Sequence, residues 1–273
     1  MTELFYETEL LLEEGILSVL FSEDFTENSL SFDPHIHMHV KHELHYIAEG
    51  GCDLKWGNEA LFCPQGHILI IPAGVEHKIY PREGTRAKSL LYVSKGHPSG
   101  KPSSLAALCP SRPITLPDGI GMGKRLLRVS ALIAEDDPLL RDYVRGEMTL
   151  FFAELFSLLL PLGKEKTAAR GENRAETIAA YISKGCYSAD CSCESLAKQM
   201  HLSTRQLHRL CLAYYGLPFR ALLVRSRMEI AKHRLEKTDI SVTELAEALG
   251  YASVASFSAA YKRHFGTAPT KSV

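Results

Sequence analysis

Histidine and carboxylate side chains are concentrated near residue 40 of this 273-residue chain. Two strings with fixed spacing stand out, His37-x-His39-x3-Glu43-x6-Gly50 and Gly66-x5-Pro72-x-Gly74-x2-His77. Because residues two apart in a strand point to the same face, we expect His37 and His39 to face one interior. Three imidazoles and one carboxylate suit Zn, Fe, Ni, Cu or Mn, with one or two coordination positions left for water or a ligand.

These two strings resemble the paired motifs of the cupin superfamily over roughly residues 30–95. The resemblance implies a β-barrel in which four side chains bind a divalent transition metal: His37, His39, Glu43 and His77. One position departs from the second cupin motif, because its last Asn is replaced by Pro81. The alternative is a metal-free pocket in which the same side chains bind an organic effector, and the sequence leaves both open. Three further histidines are assigned to the surface or to the opposite strand face: His35, His42 and His45.

The last third of the chain contains one pattern written twice. The first copy consists of Leu196-Ala197, Ser203, Leu207, Cys211 and Gly216. The second copy consists of Leu245-Ala246, Ser253, Phe257, Tyr261 and Gly266. Each copy predicts a short helix, a tight turn, and a second helix that a serine caps and a glycine ends. Two helix-turn-helix motifs in tandem indicate a DNA-binding protein, because the second helix of such a motif enters the major groove.

Residues 172–270 resemble the DNA-binding domain of the AraC/XylS family of bacterial transcription regulators. The resemblance rests on residues 196–219 and on residues 240–269, which include Gly250-Tyr251 and Phe265-Gly266. It implies a cytoplasmic homodimer that binds double-stranded DNA, responds to a small molecule or a metal ion, and has RNA polymerase as a candidate partner.

By resemblance to this family, the exposed face of each second helix is expected to meet the bases. The expected base contacts are Arg205, His208 and Arg209 in the first motif and Val254, Ala255 and Ser258 in the second. An arginine that binds guanine through two hydrogen bonds contributes roughly 1–3 kcal/mol of discrimination. The expected phosphate contacts are Thr204, Gln206, Lys262 and Arg263. Because the second helix offers few hydrogen-bonding side chains, we expect sequence discrimination to come mainly from the first.

The sequence predicts an α+β multidomain protein, in which strands and helices must position these residues. Short strands bounded by turn residues are predicted at 44–47, 52–56, 60–62, 68–71, 77–80 and 89–93, a pattern typical of a small β-barrel or sandwich. Helical spacing follows, and residues 219–237 are predicted to form a helix of about 28 Å between the two motifs. The expected domains are a cupin-like sensor barrel (1–118), a helical dimerisation segment (119–162), a linker (163–171) and the tandem helix-turn-helix domain (172–273).

Charge and composition agree with a sensor joined to a nucleic-acid binder. The overall net charge of −1 conceals +5 in residues 172–273 and −6 in the rest of the chain. The N-terminal residues are rich in glutamate without a basic cluster, so we expect no secretory signal. The most apolar stretch, 148–162, is interrupted by Glu154 and is too short to span a bilayer, so no membrane partner is expected.

Seven cysteines in no regular framework favour a reducing cytoplasm. Three of them lie within eight residues: Cys186, Cys191 and Cys193. Thiolates at this spacing bind metals or sense oxidants when their pKa values are depressed, whereas packing is the commoner role.

An enzyme is the second functional class that the sequence allows. Cupin-type metal sites also support dioxygenase and isomerase chemistry, so a metal-dependent cupin enzyme fused to a DNA-binding domain is the alternative. We expect no catalytic activity, because the fused DNA-reading motifs favour a sensor.

Overall fold

The computed structural model of the protein describes residues 7–13, 15–26, 39–96, 105, 110, 112–134, 137–163, 172–186, 191–237 and 240–269. Two compact units are present, one formed by Phe5–Glu176 and the other chiefly by Thr177–Val273.

The described residues of the first unit include nine antiparallel strands in two sheets. The strands are β1 (Glu7–Leu12), β2 (Gly15–Thr26), β3 (His42–Glu49), β4 (Gly51–Trp56), β5 (Glu59–Pro64), β6 (His67–Ile71), β7 (Lys78–Pro81), β8 (Arg86–Gly96) and β9 (Ile114–Pro117). The larger sheet has the order β1-β2-β8-β3-β6-β9 and the smaller one β5-β4-β7. The described strands therefore form two open sheets, and the closed barrel expected from the cupin resemblance is not observed among them. Of the six predicted strands, five lie within observed strands and 77–80 is offset by one residue from β7.

A helical layer covers one face of the larger sheet. It consists of α1 (Met122–Ala134), a short 3-10 helix (Pro138–Leu140) and α2 (Arg141–Gly163). Asp118 caps α1, because its carboxylate accepts hydrogen bonds from the backbone N–H groups of Met122 (2.7 Å) and Gly123 (2.8 Å). Arg125 of α1 pairs with two glutamates of α2, Glu147 and Glu154. The helices and the sheet share one apolar core, in which Leu44 and Tyr46 of β3 contribute from the sheet.

The opposite face of the larger sheet meets a second core, to which both sheets contribute. Its members include Phe25, Ile47, Cys52, Leu54, Cys63, Leu69 and Ile79. Side chains alternate along a strand, so Glu43 and His45 share the face of Ile47, whereas Leu44 and Tyr46 face the helices. Strand β3 therefore contributes to both layers.

The regular structure in the described part of the second unit is helical, and the repeat forms two similar helix pairs. Its helices are α3 (Glu172–Gly185), α4 (Cys193–Gln199), α5 (Thr204–Tyr215), α6 (Phe219–Lys237), α7 (Val242–Ala248) and α8 (Val254–Phe265). The bounds of α6 confirm the prediction for residues 219–237. Phe257 and Tyr261 of α8 pack on Met228 and Leu235 of α6 in an apolar core.

The turns within the two pairs are also alike. The N–H of Leu202 donates to the carbonyl of Ala197 (2.8 Å), and the N–H of Tyr251 donates to the carbonyl of Ala246 (2.9 Å). His201 adopts the left-handed conformation (φ 53°) at the place where the second pair has Gly250 (φ 72°). In the part of the chain that the structure covers, no helix has the length and apolar character needed to cross a membrane.

Candidate effector site and nucleic-acid interface

Glu43 is the centre of a buried group of polar side chains between the two sheets. Only 8% of this residue is exposed. The Nε2 atom of His45 lies 3.1 Å from Oε1 of Glu43, and Nε2 of His77 lies 3.0 Å from Oε2. The Nε2 atom of His39 is 3.6 Å from Oε2. Three imidazoles thus converge on one carboxylate, and this set is called the Glu43 cluster below.

The elements explain how these side chains meet. His45 shares the face of Glu43 on β3, whereas His39 precedes that strand and His77 immediately precedes β7. On the far side of its ring, His45 Nδ1 lies 2.7 Å from the Ser89 hydroxyl of β8. His77 donates from Nδ1 to the carbonyl of Val75 (3.0 Å), which directs Nε2 at the carboxylate. Both rings are therefore oriented by a second contact.

The electrostatics of the Glu43 cluster favour an ionised carboxylate. Burial by itself raises the pKa of Glu43. Electrostatic interactions with His39, His45 and His77, together with a hydrogen bond from His45, outweigh burial and hold the pKa of Glu43 well below its usual range. Glu43 is therefore a buried anion balanced by imidazole groups.

The cupin resemblance implies a metal site formed by His37, His39, Glu43 and His77. Within the described ranges, no group of three or more His, Cys, Asp or Glu side chains is arranged to hold a metal ion. Nε2 of His45 and Nε2 of His77 lie 3.1 and 3.0 Å from the Glu43 carboxylate oxygens, so these side chains contact one another directly. His37, one of the four expected ligands, and His35 lie outside the described residues.

His42 and His45 occupy opposite faces of β3, and only one matches its expected place. His42 faces away from Glu43, stacks on Tyr92 with ring centroids 5.1 Å apart, and accepts a hydrogen bond from the N–H of Ala73 (3.2 Å). Burial lowers the pKa of His42 to about 4, so its ring is neutral at pH 7. The assignment of His45 to the surface or the opposite face was wrong. The two-residue alternation counted from Glu43 is the signal that identifies His45.

Helix α5 presents the first set of expected DNA contacts. Arg205, His208 and Arg209 are exposed, whereas Leu207 and Cys211 are buried. The helix begins at Ser203, whose hydroxyl accepts a hydrogen bond from the N–H of Gln206 (3.2 Å). Its basic side chains therefore lie on the solvent face of a helix that is fixed at both its cap and its core.

The two expected phosphate contacts on α5, Thr204 and Gln206, differ in the hydrogen bonds that their side chains make. The side-chain oxygen of Gln206 accepts hydrogen bonds from the N–H (2.9 Å) and the hydroxyl (3.0 Å) of Ser203. These hydrogen bonds do not use the amide N–H groups of Gln206, which are the donors that it can offer to a phosphate. Thr204 is exposed at the first position of the helix.

Helix α8 presents a different surface. Val254 and Ala255 are exposed at its start, and Ser258 is half-buried. The basic residues of α8 lie in its last turn, where Lys262 and Arg263 are exposed. The basic side chains therefore lie in the first half of α5 and in the last turn of α8.

The three cysteines near α4 do not have the environment of redox-sensing thiols. Cys186 is buried, and Cys191 and Cys193 are partly buried. Burial raises the pKa of both Cys191 and Cys193 above the usual value for a thiol. Since a depressed pKa is what activates a thiol, their geometry favours packing.

Similarity to known proteins extends to both units. The sequence matches the AraC-like ligand binding domain family over residues 21–96 and a helix-turn-helix domain family over residues 196–272. The chain is 25% identical over 128 residues to the Msm operon regulatory protein of Streptococcus mutans, covering 45% of this chain and 46% of that protein. It is 29% identical over 120 residues to the HTH-type transcriptional activator RhaS of Salmonella schwarzengrund, covering 44% and 43%. The aligned part spans less than half the length of these relatives.

Solved structures show the same fold at low sequence identity. An apo form of a ToxT variant from Vibrio cholerae has a TM-score of 0.61 at 12% identity, covering 92% of this chain and 95% of that chain. Wild-type ToxT bound to an unsaturated fatty acid has a TM-score of 0.59 at 13% identity, covering 93% and 92%. A β-rich ligand-binding domain is followed here by a helical helix-turn-helix domain, and the chain belongs to the AraC family of transcription regulators.

Proposed function

We propose that this chain is a sequence-specific DNA-binding transcription regulator whose β-rich unit binds a small effector. In this proposal α4–α5 and α7–α8 are two helix-turn-helix motifs, and residues 163–171 link them to a sensor of the cupin type. Its place of action is the cytoplasm, with promoter DNA and RNA polymerase as partners. The observation that carries the proposal is the exposed row of Arg205, His208 and Arg209 on a helix capped for that orientation.

DNA binding by α5 is tested with an operator selected from random DNA by the purified chain. Arg209→Ala should relax specificity at one base pair and weaken binding by about 1–3 kcal/mol. The matched control is Lys262→Ala on α8, which should weaken binding to all sequences alike. It should also reduce the slope of log affinity against log salt concentration by about one. Failure to enrich any sequence under conditions where the chain is folded would contradict the proposed function.

The base and phosphate contacts form one proposed set. Base contacts are assigned to Arg205, His208, Arg209, Val254, Ala255 and Ser258, and phosphate contacts to Thr204, Gln206, Lys262 and Arg263. Their exposure supports the assignment at every position except Ser258, which is half-buried.

The Glu43 cluster is the proposed effector site. The buried, ionised carboxylate accepts hydrogen bonds and the imidazole N–H groups around it donate them, which suits a polar organic molecule. A divalent metal is the second candidate. It is favoured by the hydrogen bond from His77 Nδ1 to the Val75 carbonyl, because a histidine that binds a metal through one ring nitrogen commonly donates a hydrogen bond from the other. Under this alternative the ligands are those expected from the sequence, His37, His39, Glu43 and His77.

Elemental analysis separates the two candidates. Protein purified without chelator or nickel affinity is compared with a His39→Ala/His77→Ala variant. About one metal ion per chain, lost in the variant, would make the site a metal centre. Protein that stays metal-free after addition of divalent ions would leave the organic effector as the ligand. In either case we assign no catalytic residue, and turnover of a bound compound by the full chain would reverse that assignment.

The homodimer is proposed to form through the outer face of α2. The 3-10 helix and α2 expose residues spaced alternately four and three apart: Leu139, Tyr143, Gly146, Leu150, Ala153 and Ser157. This spacing is typical of a helix that pairs with another helix. A second copy of the chain supplies the same stripe, so each apolar side chain meets an apolar partner.

Sedimentation velocity tests the dimer directly. Leu150 is 52% exposed on the stripe, and Ile120 is 55% exposed outside it. We expect Leu150→Asp to convert the dimer to monomer and Ile120→Asp to leave it intact. A wild-type monomer at micromolar concentration, or equal effects of the two substitutions, would refute this interface.

A further inference from the structure

The two DNA-facing helices correspond position by position with a constant offset of fifty residues. Ser203 and Ser253 cap them, and Gly216 (φ 65°) and Gly266 (φ 78°) end them in the left-handed conformation. The exposed Arg205 and Arg209 of α5 therefore have exposed alanines as counterparts on α8, at positions 255 and 259.

Polar groups near the start of α8 are already engaged within the helix. The Ser253 hydroxyl accepts a hydrogen bond from the N–H of Ser256 (3.1 Å), and the Ser256 hydroxyl donates to the Ser253 carbonyl (2.7 Å). Ser258 is half-buried. What faces solvent beside these serines is a group of methyls from Val254, which is 37% exposed, Ala255 and Ala259.

We propose that α8 selects DNA by contact with thymine methyl groups, so that the half-site under the second motif is defined by its A·T pairs. The thymine C5-methyl is the apolar group that base edges display in the major groove, and small apolar side chains are its usual partners. Lys262 and Arg263, in the last turn of α8, hold the adjacent phosphates. The second motif thereby adds a smaller discrimination of its own to that of the first, by burial of methyl groups instead of hydrogen bonds.

This inference rests on the proposed function, and its test separates the two. The operator selected by the wild-type chain is mapped first with Arg209→Ala, whose relaxed base pair marks the half-site of α5. The second half-site lies about 10 base pairs away. Each thymine there is then replaced by deoxyuridine, which lacks only the methyl group. We expect each contacted position to weaken binding about threefold to fourfold, which corresponds to about 0.8 kcal/mol.

Two controls make the result specific. Deoxyuridine in the α5 half-site should leave the dissociation constant unchanged. Val254→Ser on α8, with unchanged helix content by circular dichroism, should bind the thymine operator more weakly. It should no longer respond to deoxyuridine at the thymine that Val254 contacts, whereas the responses at thymines contacted by Ala255 and Ala259 remain. Specific operator binding that is insensitive to deoxyuridine in the second half-site would overturn the inference and leave the proposed function intact. Absence of any selected operator would instead remove the proposed function.

Discussion

Gly123 is the position where helix α1 approaches strand β3 most closely. A methyl group built on Gly123 would overlap three atoms of the Tyr46 ring, far inside the ordinary carbon–carbon separation of about 3.5–4.0 Å. Tyr46 is buried in the core between sheet and helices, so its ring has little space to withdraw. Overpacking costs about 1–3 kcal/mol, and three overlapping atoms place this case at the upper end. The gain in helix propensity from glycine to alanine returns about 1 kcal/mol. We therefore expect Gly123→Ala to lower the free energy of unfolding by about 2 kcal/mol.

Urea unfolding followed by tryptophan fluorescence measures this change. The single tryptophan, Trp56, lies on β4 of the same unit and reports its unfolding. Gly119→Ala is the matched control, because its added methyl would meet no atom within 4 Å. In a Tyr46→Ala background Gly123→Ala should no longer destabilise, since the overlapping ring is gone. A wild-type midpoint for Gly123→Ala, or the same loss in both backgrounds, would refute the packing argument.

Three further predictions concern stability. Arg125→Ala should lower the unfolding free energy by about 2 kcal/mol, measured by urea titration, because Glu147 and Glu154 lose their shared partner. Arg125→Lys should retain part of the lost stability, and equal losses for both variants would contradict the ion-pair explanation. Gly216→Ala should cost about 1 kcal/mol in thermal unfolding, since the left-handed backbone (φ 65°) is strained for alanine although the added methyl meets no atom. Burial raises the pKa of Cys211 to about 11. Between pH 9 and 11 the unfolded chain therefore loses the thiol proton before the folded chain does, and the free energy of unfolding should fall by about 2–3 kcal/mol. Cys211→Ala should not show this fall, and parallel pH profiles of the two proteins would refute the prediction.

The helical unit could be predicted closely from the sequence because its signals are local. Ser203 and Ser253 cap helices at the predicted places, and Gly216 and Gly266 end them. The capping function of Gln206 was not predicted, although Ser203 followed three residues later by Gln206 has the spacing of a capping box. The exposure of Arg205 follows from helical periodicity alone.

The polar cluster was only partly predictable, because its members come from separate segments. His37 and His39 were paired by strand alternation, yet His39 precedes β3 and reaches Glu43 without belonging to a strand. His45 was missed, although the same alternation counted from Glu43 includes it. The contact of His45 with Ser89 depends on the pairing of β3 with β8, which no short spacing encodes.

Strand β3 couples the Glu43 cluster to the helical layer, because its side chains contribute to both layers. Glu43 and His45 alternate along it with Leu44 and Tyr46, so one backbone positions both the polar cluster and the support of α1. A ligand that prefers one placement of Glu43 also shifts the preferred placement of Tyr46. Because the Tyr46 ring packs directly against Gly123, we expect α1 to move with the strand. Free-energy linkage is reciprocal, so a partner that immobilises α1 and α2 changes ligand affinity by the same factor by which the ligand changes the affinity for that partner.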